Sequence, residues 1–156
     1  MLGVSEISNI LKKNGIKKGD NIFLHIDALV TAYVNGVSIE EKIDTLICGF
    51  TNLIGKKGTL VLPTFSYSST KNEPFNPLTT KSEVGIITEY FRKRKDVLRS
   101  LNPIFSVASL GFLSKKFQSS SITDCFGEGT CFDLMLKNNF WIITIGCSFD
   151  RITFIH

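Results

Sequence analysis

No apolar run in the sequence approaches the roughly 20 residues that a bilayer-crossing helix needs; the longest, NIFLHI from Asn21 and FWIITIGC from Phe140, are far shorter. The opening MLGVSEISNILKK has no ordered basic start, apolar segment and small-residue cleavage site, so the expected location is the cytoplasm, with no membrane partner. Cysteine is scarce: Cys48, Cys125, Cys131 and Cys147 form no CxxC pair. Reduced thiols buried as small hydrophobes are expected, Cys48 and Cys147 within apolar runs, and no metal. No GxSxG is present, which removes support for a nucleophile elbow. Positive charge is in slight surplus, +4, but it is spread over KK doublets and one RKRK cluster at 92–95 that reads as the solvated end of a helix. Without a basic face interleaved with aromatics, nucleic acid is not an expected partner.

What remains is the composition of one soluble globular domain: 156 residues, 43% hydrophobic and 21% charged, enough for a sizeable core. Ser5 caps an expected helix over 6–14 that Gly15 ends. NIFLH reads as a buried strand, and residues 26–37 as a loop or broken helix above it. Ser38 and Glu41 have capping-box spacing ahead of Ile39, Ile43, Leu46, Ile47, Phe50, Leu53 and Ile54 at three- and four-residue intervals, the clearest helix in the chain. TLVLP is a second strand. The polar segment TFSYSSTKNEPFNPLTT that follows is long for a compact domain and therefore weighs as a site candidate. Ser82 is read as the cap of a helix carrying Val84, Ile87, Tyr90 and Phe91, IFSVASLG as a third strand, residues 115–118 and CFDLMLK as short helices, and FWIITIG as a fourth strand. Helices and strands alternate without hairpin signals. The expected fold class is α/β, layered, with a central, at least partly parallel sheet flanked by helices and incomplete at the C-terminus.

Two histidines are the only candidate bases of their kind. His25 ends a strand beside Asp27 and, standing alone, reads first as a hydrogen-bonded structural residue. His156 follows Asp150 and Thr153 in the segment after a strand that ends at Gly146, where α/β proteins gather ligands. Thr153 and His156 would share a helical face. From the residues alone, His156 reads equally as a ligand-facing group and as a frayed terminus. The pair Gly127 and Gly129 lacks a preceding strand and is a turn rather than a dinucleotide fingerprint.

Five segments in order, GDNIFLHIDAL, IGKKGTLVLPTFSYS, TKSEVGIITEYFRKRKDVLRSLNPIFSVASLG, CFGEGTCFD and IGCSFDRITFIH, cover nearly all of the chain from Gly19 onward. Together they resemble the aminoglycoside N(3)-acetyltransferase family of acetyl-CoA-dependent enzymes. The resemblance implies that 1–156 is the N-terminal portion of such an enzyme, a single domain cut short, because members of the family continue beyond this histidine with an acidic residue shortly after it.

The implied reaction is acetyl transfer from acetyl-CoA to the amine of a small molecule, an amino-sugar or aminoglycoside. The implied general base is His156; histidine suits an amine that is largely protonated near neutral pH. The family's orienting carboxylate is absent, and Asp150 is the nearest acid. The loop of His25, Ile26, Asp27, Ala28 and Leu29 is implied to lie against the pantetheine arm, although relatives commonly have Ser-Ser-Leu there, so only backbone contacts carry over. Ser106 and Val107 are further cofactor candidates, and Ser66, Ser68, Asp150 and Thr153 are the substrate candidates. Arg99 would pair with a phosphate or a buried carboxylate. Asn102 stands where many drug-modifying relatives have His, and residues 64–80 hold one acid, Glu73; an amino-sugar of surface-glycan synthesis is therefore expected as acceptor rather than a polycationic aminoglycoside. The alternative, favoured by the missing carboxylate, is a non-catalytic remnant that binds the coenzyme or a partner.

Overall fold

A computed structural model describes residues 1–153; Phe154, Ile155 and His156 lie outside the described residues. Five strands, β1 (Asn21–Ile26), β2 (Thr59–Pro63), β3 (Leu98–Arg99), β4 (Val107–Gly111) and β5 (Trp141–Ile145), form one sheet in the order β3-β4-β2-β1-β5. β1 is parallel to both its neighbours, β2 and β5, whereas β4 is antiparallel to β2 and to β3. The expected partly parallel α/β sheet is present. The third strand differs: it begins at Val107, because residues 104–106 instead bond the loop after β2, and its antiparallel partner β3 carries too few residues to show a pattern.

Helices α1 (Val4–Lys13), α2 (Ile39–Ile54) and α3 (Ile86–Arg92) cover one face, and α4 (Ser114–Gln118) and α5 (Cys131–Lys137) the other. Side chains alternate across a strand, and β1 shows the result: Ile22 and Leu24 enter the core with α1 to α3, while Phe23 packs with Phe117, Phe132 and Met135. Burial of both faces accounts for the continuous apolar reading of NIFLHI.

Ser38 caps α2 by accepting from the Glu41 N–H at 3.2 Å, and the Glu41 carboxylate reaches back to the Val37 N–H at 2.8 Å. α1 is capped at Gly3 rather than Ser5, the Glu6 carboxylate accepting the Gly3 N–H at 3.1 Å. α3 starts at Ile86 after Gly85, not at Ser82. The Ser82 N–H donates to Glu89 at 2.8 Å, and its hydroxyl pairs with that of Thr88 at 2.9 Å.

The cluster at 92–95 is a helix end solvated only in part: Lys93 and Lys95 are exposed, and the two arginines are not. Arg92, with a side chain only 2% exposed, forks onto both oxygens of Glu89 at 2.6 and 2.7 Å, and Arg94 bonds Asp44 and Asp96. Burial alone would raise the Glu89 carboxyl, but Arg92, Lys93 and the Ser82 N–H overcome it and hold it at about 2. All four cysteines are free thiols; Cys131 is the buried one, and Cys48, Cys125 and Cys147 are half-buried.

Candidate active site

β1, β2 and β5 run the same way, so their carboxyl ends meet at one rim of the sheet, where ligands of α/β proteins collect. There a cavity of about 630 Å³ is bounded by His25, Ile26 and Asp27 after β1, Pro63, Phe65 and Tyr67 after β2, Glu83, Val84, Gly85 and Thr88 at the start of α3, and Gly146, Cys147, Ser148, Arg151 and Thr153 after β5. Its volume is within the range of small-molecule sites.

Local chemistry builds each wall. After β1 the Asp27 N–H donates to the Ile145 carbonyl at 3.0 Å, extending the pairing with β5 by one residue. The Asp27 carboxylate then accepts the Leu29 N–H at 2.8 Å and caps a 3-10 turn, Ala28–Tyr33. Gly146 has φ 71°, and a Cβ there would lie 2.7 Å from Val30; glycine lets the chain after β5 turn tightly against this 3-10 turn.

After β2 the backbone follows residues 103–106, with Thr64, Ser66 and Ser68 N–H groups donating to Ser106, Ile104 and Pro103 carbonyls at 2.9, 3.2 and 2.9 Å. Tyr67, at the cavity, is held in the left-handed region at φ 54°, a costly conformation for a non-glycine residue. The Asn102 side chain is buried. It accepts the Ile104 and Phe105 N–H groups at 3.0 and 2.8 Å and donates to the Asp124 carbonyl at 2.9 Å, so it shapes a turn instead of facing the cavity.

Among the described residues Arg99 makes no ion pair with a carboxylate. Buried, it donates to the Thr64 carbonyl at 2.6 Å, the Ser106 hydroxyl at 3.1 Å, and the Pro77 and Thr80 carbonyls, and its guanidinium lies 5.0 Å from the Phe75 ring centre. Burial, then the nearby Arg92, push it down to about 10. It ties residues 75–80 to the sheet rim.

The cavity brings together His25, Ile26, Asp27 and Thr153 among the sequence candidates. Ala28 and Leu29 are exposed beside it. Ser66 and Ser68 face inward, Ser68 donating to Ser66 at 3.3 Å and Ser66 to the Pro103 carbonyl at 3.1 Å. Ser106 and Val107 are fully buried in the rim, the Ser106 hydroxyl donating to Thr64 at 2.8 Å. Asp150 is exposed and accepts from Ser148, which holds its carboxyl below the usual range. His156 lies outside the described residues.

Sequence reasoning missed Glu83, Arg151 and Cys147. Glu83 lies just past the 64–80 segment whose acids it counted, and with Asp27 it gives the cavity two carboxylates against Arg151. Glu83 also bonds Lys71.

His25 is not the hydrogen-bonded structural residue that its sequence context suggested. It is 6% exposed, its ring meets Phe23 edge-on at 4.6 Å, and Nε2 is buried without a hydrogen-bond partner among the described residues. Burial pushes its pKa down to about 4, so the ring is neutral at pH 7. Among the described residues no group of three or more metal-ligating side chains occurs, and no helix is long and apolar enough to cross a membrane.

Residues 27–156 match the family model described as aminoglycoside 3-N-acetyltransferase. Similar solved structures include aminoglycoside acetyltransferase AAC(3)-Xa (TM-score 0.84, 21% identity, 99% of this chain and 59% of that one). The YokD protein from Bacillus subtilis (TM-score 0.84, 21% identity, 99% and 68%) and AAC-IIIb in binary complex with CoASH (TM-score 0.84, 21% identity, 99% and 63%) share the fold equally. The chain thus spans 59% to 68% of the length of these proteins.

Proposed function

Because the chain belongs to the aminoglycoside 3-N-acetyltransferase family, we propose that it carries the cofactor-side half of an N-acetyltransferase that moves an acetyl group from acetyl-CoA to an amine of an amino-sugar or aminoglycoside. The observation that carries this reading is the cavity at the carboxyl ends of β1, β2 and β5, lined by residues after all three. AAC-IIIb, of the same fold, binds CoASH, and AAC-VIa binds sisomicin.

The reaction asks for a neutral amine, a thioester carbonyl open to attack, and a base. The amine nitrogen bonds to the carbonyl carbon, the carbon–sulfur bond breaks, and the proton lost by nitrogen passes through the base to the leaving sulfur, so that coenzyme A departs as the thiol. His25, with its pKa near 4, is too weak a base for an ammonium at pH 7. His156 is therefore the base in this proposal. Thr153, three residues earlier, lines the cavity, and three residues of chain reach at most about 11 Å. Asp27 and Glu83 supply negative charge for the acceptor's ammonium groups, which restores an aminoglycoside beside an amino-sugar as acceptor.

The test is thiol release from acetyl-CoA by the natural full-length protein, with amino-sugars and aminoglycosides as acceptors. His156→Ala should lower turnover at least 100-fold, the usual reach of a general base, with coenzyme affinity changed less than threefold. Coenzyme protection against unfolding without thiol release would assign the chain to a binding remnant instead.

A further inference from the structure

Two carboxylates border the cavity, Asp27 and Glu83, and one cation, Arg151. Glu83 is already occupied: its carboxylate holds the Lys71 ammonium, a bond that raises Lys71 above its ordinary range and keeps it charged at pH 7. Glu73 also attracts Lys71 but does not border the cavity. An exposed Lys–Glu pair usually contributes little, because two long side chains must be ordered to make it. Here the backbone under each partner is fixed. Lys71 ends a 3-10 turn, Ser68–Lys71, set between Tyr67 and Asn72 in the left-handed region at φ 54° and 55°. Its buried first residue pins the turn, the Ser68 N–H donating to the Pro103 carbonyl at 2.9 Å and the Ser68 carbonyl accepting the Glu73 N–H at 3.0 Å. The Glu83 N–H donates to the Phe65 carbonyl at 2.8 Å. A strained, pinned turn that delivers an ammonium to a cavity carboxylate places charge rather than adding stability.

What that charge does follows from the chemistry of the acceptor. The amine that reacts must be neutral. The positive charge left on a polyamine therefore sits on amines that take no part in the step, and each of these needs a carboxylate to replace the water it gives up. Asp27, with one oxygen on the Leu29 N–H, is the cavity carboxylate that carries no cation among the described residues. Lys71 cancels Glu83, and Arg151 repels a further ammonium. A sugar with one amine asks for no second carboxylate. Resting on the acetyltransferase reading above, we propose that Lys71 is a specificity-determining residue for the acceptor: held on Glu83, it selects an amino-sugar with a single amine against a polycationic aminoglycoside.

The test uses the natural full-length protein and thiol release from acetyl-CoA, comparing kcat/KM for the methyl glycoside of a mono-amino sugar with that for sisomicin, a polycation. The unsubstituted protein should favour the single amine. Lys71→Met, which keeps the stem and removes the charge, should raise kcat/KM for sisomicin about tenfold, the order of one charge at close range near a protein surface. For the single amine the change should stay below about threefold, and Lys71→Arg should behave as the unsubstituted protein. The gain should appear in KM rather than kcat and shrink as salt is raised from about 0.05 to 0.5 M. It should vanish when Glu83→Gln is added, because no carboxylate is then uncovered. A preference for sisomicin in the unsubstituted protein overturns the inference, as does an acceptor ratio that Lys71→Met leaves within about twofold, or a gain that survives Glu83→Gln. In each of these cases thiol release leaves the acetyltransferase reading standing. No thiol release with either acceptor overturns the function proposed above, and this inference with it. Lys71→Gln, equally uncharged and able to bond Glu83, decides should Lys71→Met fail to fold.

Discussion

Replacing Arg99 with methionine keeps the alkyl stem and removes every donor. The guanidinium makes three short contacts, to the Ser106 hydroxyl and the Thr64 and Thr80 carbonyls, and a longer one of 3.4 Å to Pro77. At about 1.5–2 kcal/mol for each short bond to a charged group, their loss costs roughly 4.5–6 kcal/mol. Against this stands the burial of a cation with no carboxylate beside it. Burial pushes the guanidinium down to about 10, a penalty on the charged form of roughly 3 kcal/mol that methionine relieves. The expected net loss is about 1.5–3 kcal/mol, read as a lower denaturant midpoint with unchanged slope. Hydrogen exchange should rise first in residues 75–80, which Arg99 ties down, and far less in β1. A loss below about 0.5 kcal/mol, or no change in exchange at 75–80, would refute the claim that this one side chain anchors the segment.

Gly49→Ala places a Cβ 2.5 Å from Ile7 Cγ2 where α2 crosses α1. The overpacking should cost about 1–3 kcal/mol despite alanine's better helix propensity, and adding Ile7→Ala should show a coupling term of opposite sign in a double-mutant cycle. Acid should destabilise the protein in two stages of the same sign. His25 has a folded pKa near 4 against 6.5 unfolded, so the unfolded state binds more protons between these values. Its contribution, up to roughly 3 kcal/mol, is present above pH 6.5 and lost as pH falls toward 4. Glu89, held at about 2 against 4.5, contributes above pH 4.5 and loses that contribution below it. Thermal midpoints between pH 7 and 5 should therefore fall, and His25→Phe should flatten that limb while leaving the fall below pH 4.5.

The strands with two buried faces were legible because their sequences are continuous apolar runs, as in TLVLP and NIFLH, and α2 because its period and its Ser38 cap agree. What escaped had weak local signals. β3 is two residues long and is specified by its pairing with Ala108 and Ser109, which no local pattern encodes. The start of α3 was misread because Ser82 looks like a cap, while Glu89, seven residues on, takes the Ser82 N–H. RKRK reads as solvent-facing in one dimension, but Asp44, on another helix, receives Arg94. At the site, Thr153 was reached through its position after a strand end, and the loop after β1 through the family resemblance. Glu83, Arg151 and Cys147 were not, because cavity walls are assembled from segments whose proximity only the sheet order creates. That His25 Nε2 lacks a partner among the described residues could not be read at all; an unmade bond leaves no trace in sequence.

The direction of β4 has an evolutionary consequence. Running against its neighbours, it delivers its first residue, Val107, to the same rim at which β2 ends at Pro63. At the opposite rim backbone packs closely on backbone: a Cβ on Gly111 would stand 2.2 Å from the Gly58 carbonyl oxygen. One end of the sheet is thus a fixed hinge plate, and the other is an open edge onto which the segments after β1, β2 and β5 and before β4 are hung. A change of small-molecule partner is expected to fall in those segments, 64–85 above all, whereas a side chain at Gly58 or Gly111 would meet backbone within 2.5 Å. Ancestry should be read from the closed end and specialisation from the open one.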